Sequence, residues 1–218
     1  MDLISRSIAF LSLIILSPFL IIISFFCLIF QGYPIFFTQQ RVGHNYKPFM
    51  IYKFRTMVNN AGESISYQND SRVTFMGKIL RKAKIDEIPQ LINIIKGEMR
   101  FIGPRPEIPE YFEKSKFKFL KKIKPGISDF ASIILRNESH ILEKIGGQDP
   151  YKKLLPIKIK LADYYAIKKS FLLDLKLVIF TVVALLFPYS SVKVFVLPMI
   201  SDEVPDIHIF FKKYLEYQ

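Results

Sequence analysis

Residues Ile85 to Glu107 read IDEIPQLINIIKGEMRFIGPRPE, and the character of the chain follows from them. Ile88, Leu91, Ile92, Ile95 and Met99 recur at three- and four-residue steps, which is one face of a helix. Asp86 stands where an N-cap belongs, Pro89 falls in the first turn, and Gly97 suits a terminus near Lys96. The spacing therefore predicts a helix with Asp86 and Glu87 at its positive end, directly after Arg81, Lys82 and Lys84. Free backbone donors and the helix dipole make such an end attractive to phosphate. Nearby cations favour the ionised form of a carboxylate, so Asp86 is expected to stay charged at neutral pH. An ionised Asp facing phosphate can ligate Mg²⁺, or act as a nucleophile through a phospho-aspartyl intermediate. Neighbouring helical residues point about 100° apart, so the two acids should have different tasks. A capped helix start with two solvated acids fits the same letters, and the pair alone leaves both readings open.

Downstream, Gly103-Pro104-Arg105-Pro106 fixes the backbone on both sides of an arginine, with X-Pro bonds that can be cis. A rigidly held guanidinium suits bidentate phosphate binding, although a stiff connector would look the same. Upstream, Pro34–Gln40 and Pro48–Phe54 alternate as short strands around the turn signal Gly43-His44-Asn45, which predicts a hairpin. Lys53 and Arg55 close it with two cations. Residues 59–70 read as a polar loop, and Val73–Lys84 as an amphipathic helix. From Lys114 to Lys124, lysines interleave with Phe117, Phe119, Leu120 and Ile123. That pattern fits a solvated helix face, or basic residues on anionic lipid with aromatics dipping in, and the lipid reading is the stronger. Leu177–Phe187 is apolar but too short to span, as a buried or interfacial helix would be. Ser190–Gln218 carries no readable function.

The front of the chain is apolar. Ile8 to Phe30 holds 23 residues without a formal charge, flanked by Arg6 and Arg41. About 20 such residues cross a bilayer core. Ser17-Pro18 falls near the middle, where the proline removes a backbone donor and predicts a bend, with the Ser17 hydroxyl available to a freed backbone group. Basic residues lie on both flanks, so a simple span would place one set outside, against the positive-inside rule. A kinked span and a helix that enters and leaves on the same face are both compatible with the letters.

Composition sets the outer bounds. The chain has 218 residues, enough for one or two domains, and is half apolar with 23% charged, which excludes a disordered protein. The single Cys27 excludes a disulfide framework or a cysteine-rich metal site, and His44, His140 and His208 are widely separated. Lys and Arg exceed Asp and Glu by 31 to 19, a net charge of +12. Charge alone hints at nucleic acid, but no recognised binding motif accompanies it, so no nucleic-acid partner is expected. A basic, apolar chain suits a membrane surface or a lipid-phosphate substrate. The fold class expected is α+β, mainly helical: a membrane helix over 1–31, a cytosolic domain over 32–170, and an interfacial helix with a tail over 171–218.

Three segments, FTQQRVGHNYKPFMIYKFRTM (Phe37–Met57), IDEIPQLINIIKGEMRFIGPRPE (Ile85–Glu107) and KPGI (Lys124–Ile127), resemble the bacterial sugar transferases. These are monotopic phosphoglycosyl transferases that start glycan assembly on polyprenyl phosphate at the bacterial inner membrane, facing the cytoplasm. The resemblance implies a re-entrant N-terminal helix broken at Ser17-Pro18. It makes Asp86 the nucleophile that attacks a UDP-sugar, releases UMP and holds the phosphosugar, and also the Mg²⁺ ligand. It makes Glu87 the acidic partner of Asp86. Arg81 and Arg105 match cations at phosphates, Lys53 and Arg55 match basic residues near the site, and Arg136 matches a retained arginine. The implied partners are a UDP-sugar, polyprenyl phosphate and membrane lipid. The sugar, the polyprenol and a homodimeric state stay open. Departures occur at Ser128-Asp129-Phe130 and Ile134-Leu135, where many members carry Thr-Gly-Trp and Asn-Gly. Ala162 stands where many carry an acid, with Asp163 one position off. A non-catalytic membrane-docked scaffold is the alternative, and the intact Asp86-Glu87 pair speaks against it.

Overall fold

The structure, a computed structural model, describes residues 2–62, 65–67, 69–187, 191–200 and 203–214. The apolar front forms one helix, α1 (Asp2–Gln31), with Pro18 inside it. Pro18 lacks the N–H that would reach the Ile14 carbonyl. The Ser17 hydroxyl donates to that same carbonyl at 2.7 Å, so the freed acceptor is answered from within the helix.

Helix α1 is built into the fold along its length. Ala9 packs with Phe49, Ile51, Leu91, Ile94 and Met99. Ile23 and Cys27 pack with Phe54 and Leu80. At its start, Asp2 pairs with Arg100 and with Lys124 at 3.1 Å, and Arg6 Nε donates to the Ile95 carbonyl at 2.7 Å. At its end, Arg55 donates to the carbonyls of Gln31 and Gly32 at 2.5 and 2.7 Å, and Thr74 Oγ1 donates to Gln31 Oε1 at 2.7 Å. The cation thus stands where the helix dipole favours it. Much of the remaining circumference is apolar and exposed, including Leu11, Ile15, Phe19, Ile22 and Phe26. By length and composition α1 is able to cross a membrane.

Strands β1 (Phe36–Val42) and β2 (Pro48–Phe54) form the expected antiparallel hairpin, pairing Phe36 with Phe54 and Val42 with Pro48. The alternation placed β1 two residues early. Helix α2 (Phe75–Lys82) follows, capped by Thr74, whose hydroxyl accepts from the Gly77 N–H at 2.9 Å. The next segment corrects the sequence reading. Ile85–Gln90 is a 3₁₀ turn and only Leu91–Lys96 is α-helical (α3), so Asp86 lies inside the turn rather than at an N-cap. Lys84, at φ 57°, reverses the chain after α2 and occupies the cap position without a side-chain bond. Gly97 ends α3 at φ 80°, as its position suggested.

Two short parallel strands, β3 (Arg100–Ile102) and β4 (Gly126–Ser128), bring the Gly-Pro-Arg-Pro turn against the Lys-Pro-Gly turn. The cis X-Pro bond among the described residues is Tyr33–Pro34, so the bonds before Pro104 and Pro106 are trans. The lysine-rich run is a second correction. Phe117, Phe119, Leu120 and Ile123 are buried in the main core while Lys114, Lys116, Lys118, Lys121 and Lys122 are exposed. The aromatics therefore face protein rather than lipid.

That core is completed by α4 (Phe130–Ile134), α5 (Glu138–Ile145), α6 (Pro150–Lys168) and α7 (Phe171–Leu186). Of the C-terminal stretch, residues 190, 201, 202 and 215–218 lie outside the described residues. The rest forms a π-helical turn (Ser191–Val196), α8 (Leu197–Ile200) and α9 (Asp206–Tyr214), and Val196, Ile200, Val204, Ile207 and Phe211 join the same core. Helix α7 buries Leu173, Leu177 and Ala184 but exposes Val178, Ile179, Val182, Leu185 and Leu186. The architecture is α+β and mainly helical.

Candidate active site

Each group of the site arrives on a different element. β2 carries Lys53, the 3₁₀ turn carries Asp86 and Glu87, and the turn after β3 carries Arg105. Lys53 Nζ meets Glu87 Oε1 at 2.9 Å. Arg105 binds the same carboxylate with both arms, at 2.6 Å to Oε1 and 3.2 Å to Oε2. The backbone N–H of Arg105 donates to Asp129 Oδ2 at 3.3 Å, while Asp129 caps α4 by accepting from Ser132 N and Oγ at 2.7 and 2.6 Å. Asn93, fully buried, donates to the Met50 carbonyl and to Glu98, both at 2.7 Å, and accepts from Tyr52 N at 3.2 Å. Those bonds fasten α3, and with it the acidic turn, to the hairpin.

The two acids differ as neighbours with separate tasks should. Burial alone would raise Glu87, but Arg105 and Lys53 outweigh it and hold its pKa well below the usual carboxylate range. Asp86 is 7% exposed, and its Oδ1 is buried without a hydrogen-bond partner. Burial pushes its pKa above the ordinary value, against the pull of Lys53. At this carboxylate, removal from water outweighs the neighbouring cations that favour its charged form.

Both acids line a cleft of about 1580 Å³. Among the described residues, nine cationic side chains line it against four carboxylates. Lys53, Arg55, Arg81, Asp86, Glu87, Arg105 and Arg136 all contribute, whereas Ser17 and Pro18 do not. Several are already occupied. Arg55 is held by the end of α1, as described above. Arg81 donates to Thr56 Oγ1 and Ser66 Oγ, each at 2.8 Å, and so pins the loop after β2. Arg136 donates to the Ala184 carbonyl of α7 at 2.5 Å.

Sequence reasoning missed a second cluster on the same cleft: Arg41, Glu107, Glu138, Tyr151 and Lys158. Tyr151 OH donates to Glu107 Oε2 at 2.7 Å, and Lys158 Nζ lies 2.6 Å from Tyr151 OH and 3.3 Å from Glu138. Arg41 and Glu107 fall within the quoted segments, but nothing in their spacing connects them to residues of α5 and α6. Among the described residues no group of three or more His, Cys, Asp or Glu side chains is placed to hold a metal. Among the described carboxylates of the cleft, Asp86 has a buried oxygen, Oδ1, without a hydrogen-bond partner.

Residues 1–188 match the family described as bacterial sugar transferase. The exopolysaccharide production protein ExoY of Sinorhizobium fredii is 34% identical over 164 residues, covering 66% of this chain and 73% of the relative. The uncharacterized sugar transferase EpsL of Bacillus subtilis is 37% identical over 154 residues, 69% of each protein. The UDP-glucose:undecaprenyl-phosphate glucose-1-phosphate transferase of Klebsiella pneumoniae is 35% identical over 181 residues, which is 79% of this chain and 37% of that longer relative. A carboxylate without a hydrogen-bond partner at one oxygen on a cation-lined cleft, and a match across most of the chain, lead to one conclusion: the chain belongs to the bacterial sugar transferase family and is an enzyme.

Proposed function

We propose that the protein transfers a sugar-1-phosphate from a UDP-sugar to polyprenyl phosphate, with Asp86 as the nucleophile. The observation that carries this reading is the contrast between the acids: Glu87 is fully engaged by Lys53 and Arg105, while Asp86 lines the cleft and its buried Oδ1 has no hydrogen-bond partner. In the first half-reaction an Asp86 oxygen attacks the sugar-bearing β-phosphorus. The bond from that phosphorus to the bridging oxygen breaks, the oxygen departs on the α-phosphate as UMP, and an acyl phosphate joins Asp86 to the phosphosugar. In the second, an acceptor phosphate oxygen attacks the same phosphorus and the carboxylate departs, giving a polyprenyl diphosphate sugar. Glu87 aims Lys53 and Arg105 at the phosphates and keeps the two like charges from moving apart. Asp86 would also hold Mg²⁺ together with substrate phosphates, the usual arrangement for that ion, which supplies neutralisation of phosphate charge when bound.

The same reading places the chain on the cytoplasmic face of the inner membrane with α1 re-entrant. Support comes from Asp2 and Arg6 at one end of α1 and Gln31 at the other, all fastened to one body. Cysteines introduced at the two ends of α1 should then label from the cytoplasmic side only; labelling of the N-terminal one from outside restores a span. For the chemistry, Asp86→Asn should abolish UMP release from a UDP-sugar while the protein remains membrane-bound. Undiminished UMP release in that variant would overturn the nucleophile assignment.

A further inference from the structure

The cleft extends beyond the Asp86 cluster. Its lining takes in Ser12 and Leu16 of α1, Ile127 and Ser128 of β4, and Thr181, Ala184 and Leu185 of α7. Both helices pack against β3, so the two-stranded pair and the helices frame one opening. Its lips are apolar. Leu11 and Ile15 beside the α1 residues are exposed, as are Val182, Leu185 and Leu186 on α7. Two hydroxyls there are satisfied within the protein: Ser128 Oγ lies 2.7 Å from Thr181 Oγ1, and Thr181 donates to the Leu177 carbonyl at 2.6 Å. Arg136, a cation of the cleft lining, is anchored beside this opening on the Ala184 carbonyl of α7.

We propose that this opening between α1 and α7 receives the isoprenoid chain of the acceptor lipid, with Arg136 meeting the acceptor phosphate at its inner end. The proposal rests on the function argued above and assigns one substrate of that reaction to a place. A polyprenyl phosphate carries one anion and a long apolar tail, and the cleft combines cationic lining side chains with exposed apolar faces of α1 and α7 beside its lining residues. A nucleotide donor, soluble and polar throughout, gains nothing from those lips. Burial of isoprenoid methylenes there removes apolar area from water, which is stabilising. That stabilisation favours long-chain acceptors over short ones.

The test separates the two half-reactions. UMP released per enzyme without acceptor reports the donor step, and turnover against polyprenyl phosphate concentration reports the acceptor step. Leu16→Glu and Leu185→Glu are expected to raise the acceptor KM at least tenfold while the UMP burst keeps its wild-type amplitude. Acceptor KM unchanged in both variants would overturn the proposal. In the unmodified protein, an isoprenoid phosphate carrying a photoreactive diazirine should cross-link within residues 12–16 and 181–185. Cross-links confined to other segments overturn it, whatever the variants do. A wild-type protein that shows no burst speaks against the phospho-aspartyl reaction instead, and the cross-linking pattern still decides where the lipid lies.

Discussion

Arg105 grips Glu87 with both arms of its guanidinium, at 2.6 and 3.2 Å, and Lys53 takes the same Oε1 at 2.9 Å. Arg105 is held above its ordinary pKa first by the charge of Glu87, and Glu87 is held well below its own, so the three form one fixed charge cluster. An acid so held stays ionised near neutral pH and keeps two cations beside it. Glu87→Gln leaves both cations partly buried without their counter-charge, which typically costs about 3–5 kcal/mol. The expected result is a large drop in thermal midpoint with UMP release falling at least about 100-fold, a loss that corresponds to about 2.7 kcal/mol of barrier. A Glu87→Gln protein with wild-type stability would show that the pairing does not hold the site together.

Arg105→Lys tests the fork separately. A lysine keeps the charge but meets the carboxylate as a single point, without the paired geometry. Stability is expected to fall by only about 1 kcal/mol, whereas the KM for the UDP-sugar rises. Calorimetry and donor titration on the same sample check the split. Equal effects of Arg105→Lys and Glu87→Gln on both quantities would count against a geometric role.

The hairpin, the apolar first helix and the rigid arginine of the Gly-Pro-Arg-Pro turn were legible because each is written locally, in alternation, run length or proline placement. The roles of the acids were less so. Glu87 finds its partners 34 residues upstream, in Lys53, and 18 downstream, in Arg105. Local periodicity cannot report such pairings. The same holds for Tyr151 and Glu107, 44 residues apart. The Lys114–Lys124 run misled for a different reason: alternating lysine and phenylalanine reads the same over lipid and over a protein core. Only the fold shows that Phe117 and Phe119 turn inward. Asp86 as an N-cap failed because Lys84 adopts a left-handed conformation, an uncommon choice for a residue with a side chain.

Gly126 offers a test of how the two turns meet. A Cβ there would lie 2.2 Å from Gly103 N and 2.7 Å from Gly103 O, both rigid backbone atoms. Gly126→Ala is therefore expected to separate β3 from β4 and destabilise the protein by about 3 kcal/mol or more. Because Arg105 lies two residues beyond Gly103, donor turnover should fall with it. Circular dichroism melting checks the first effect. A variant as stable as the wild type would mean the strands do not approach as closely as described.

Ser17 and Pro18 form a compensating pair, and a double-mutant cycle exposes it. Ser17→Ala leaves the Ile14 carbonyl without its donor, a loss of about 1–3 kcal/mol where water is scarce. In Ser17→Ala with Pro18→Ala, the backbone N–H of residue 18 is restored and can reach that carbonyl. The double variant should therefore be more stable in detergent than Ser17→Ala alone. Additive destabilisation would show that the hydroxyl is not standing in for the missing amide.

The loop between β2 and α2 carries its own acid sensitivity. Arg72 donates to Asp70 from Nε at 2.8 Å, from a guanidinium arm at 2.6 Å and from its backbone at 3.0 Å, and reaches the Ala61 and Ile65 carbonyls at 2.8 Å. These bonds from Arg72 hold Asp70 at about 2, below the ordinary value of 3.8. A depressed carboxylate pKa stabilises the folded loop above its unfolded value, and that contribution disappears as pH falls from about 4 through about 2. Ala61 and Ile65 line the cleft, so loosening should be felt there. Amide-exchange protection across residues 57–73 is expected to drop over that window, and Asp70→Asn should remove the step while lowering protection already at neutral pH. A loop equally protected at pH 4 and pH 2 would show that Asp70 is not what closes it.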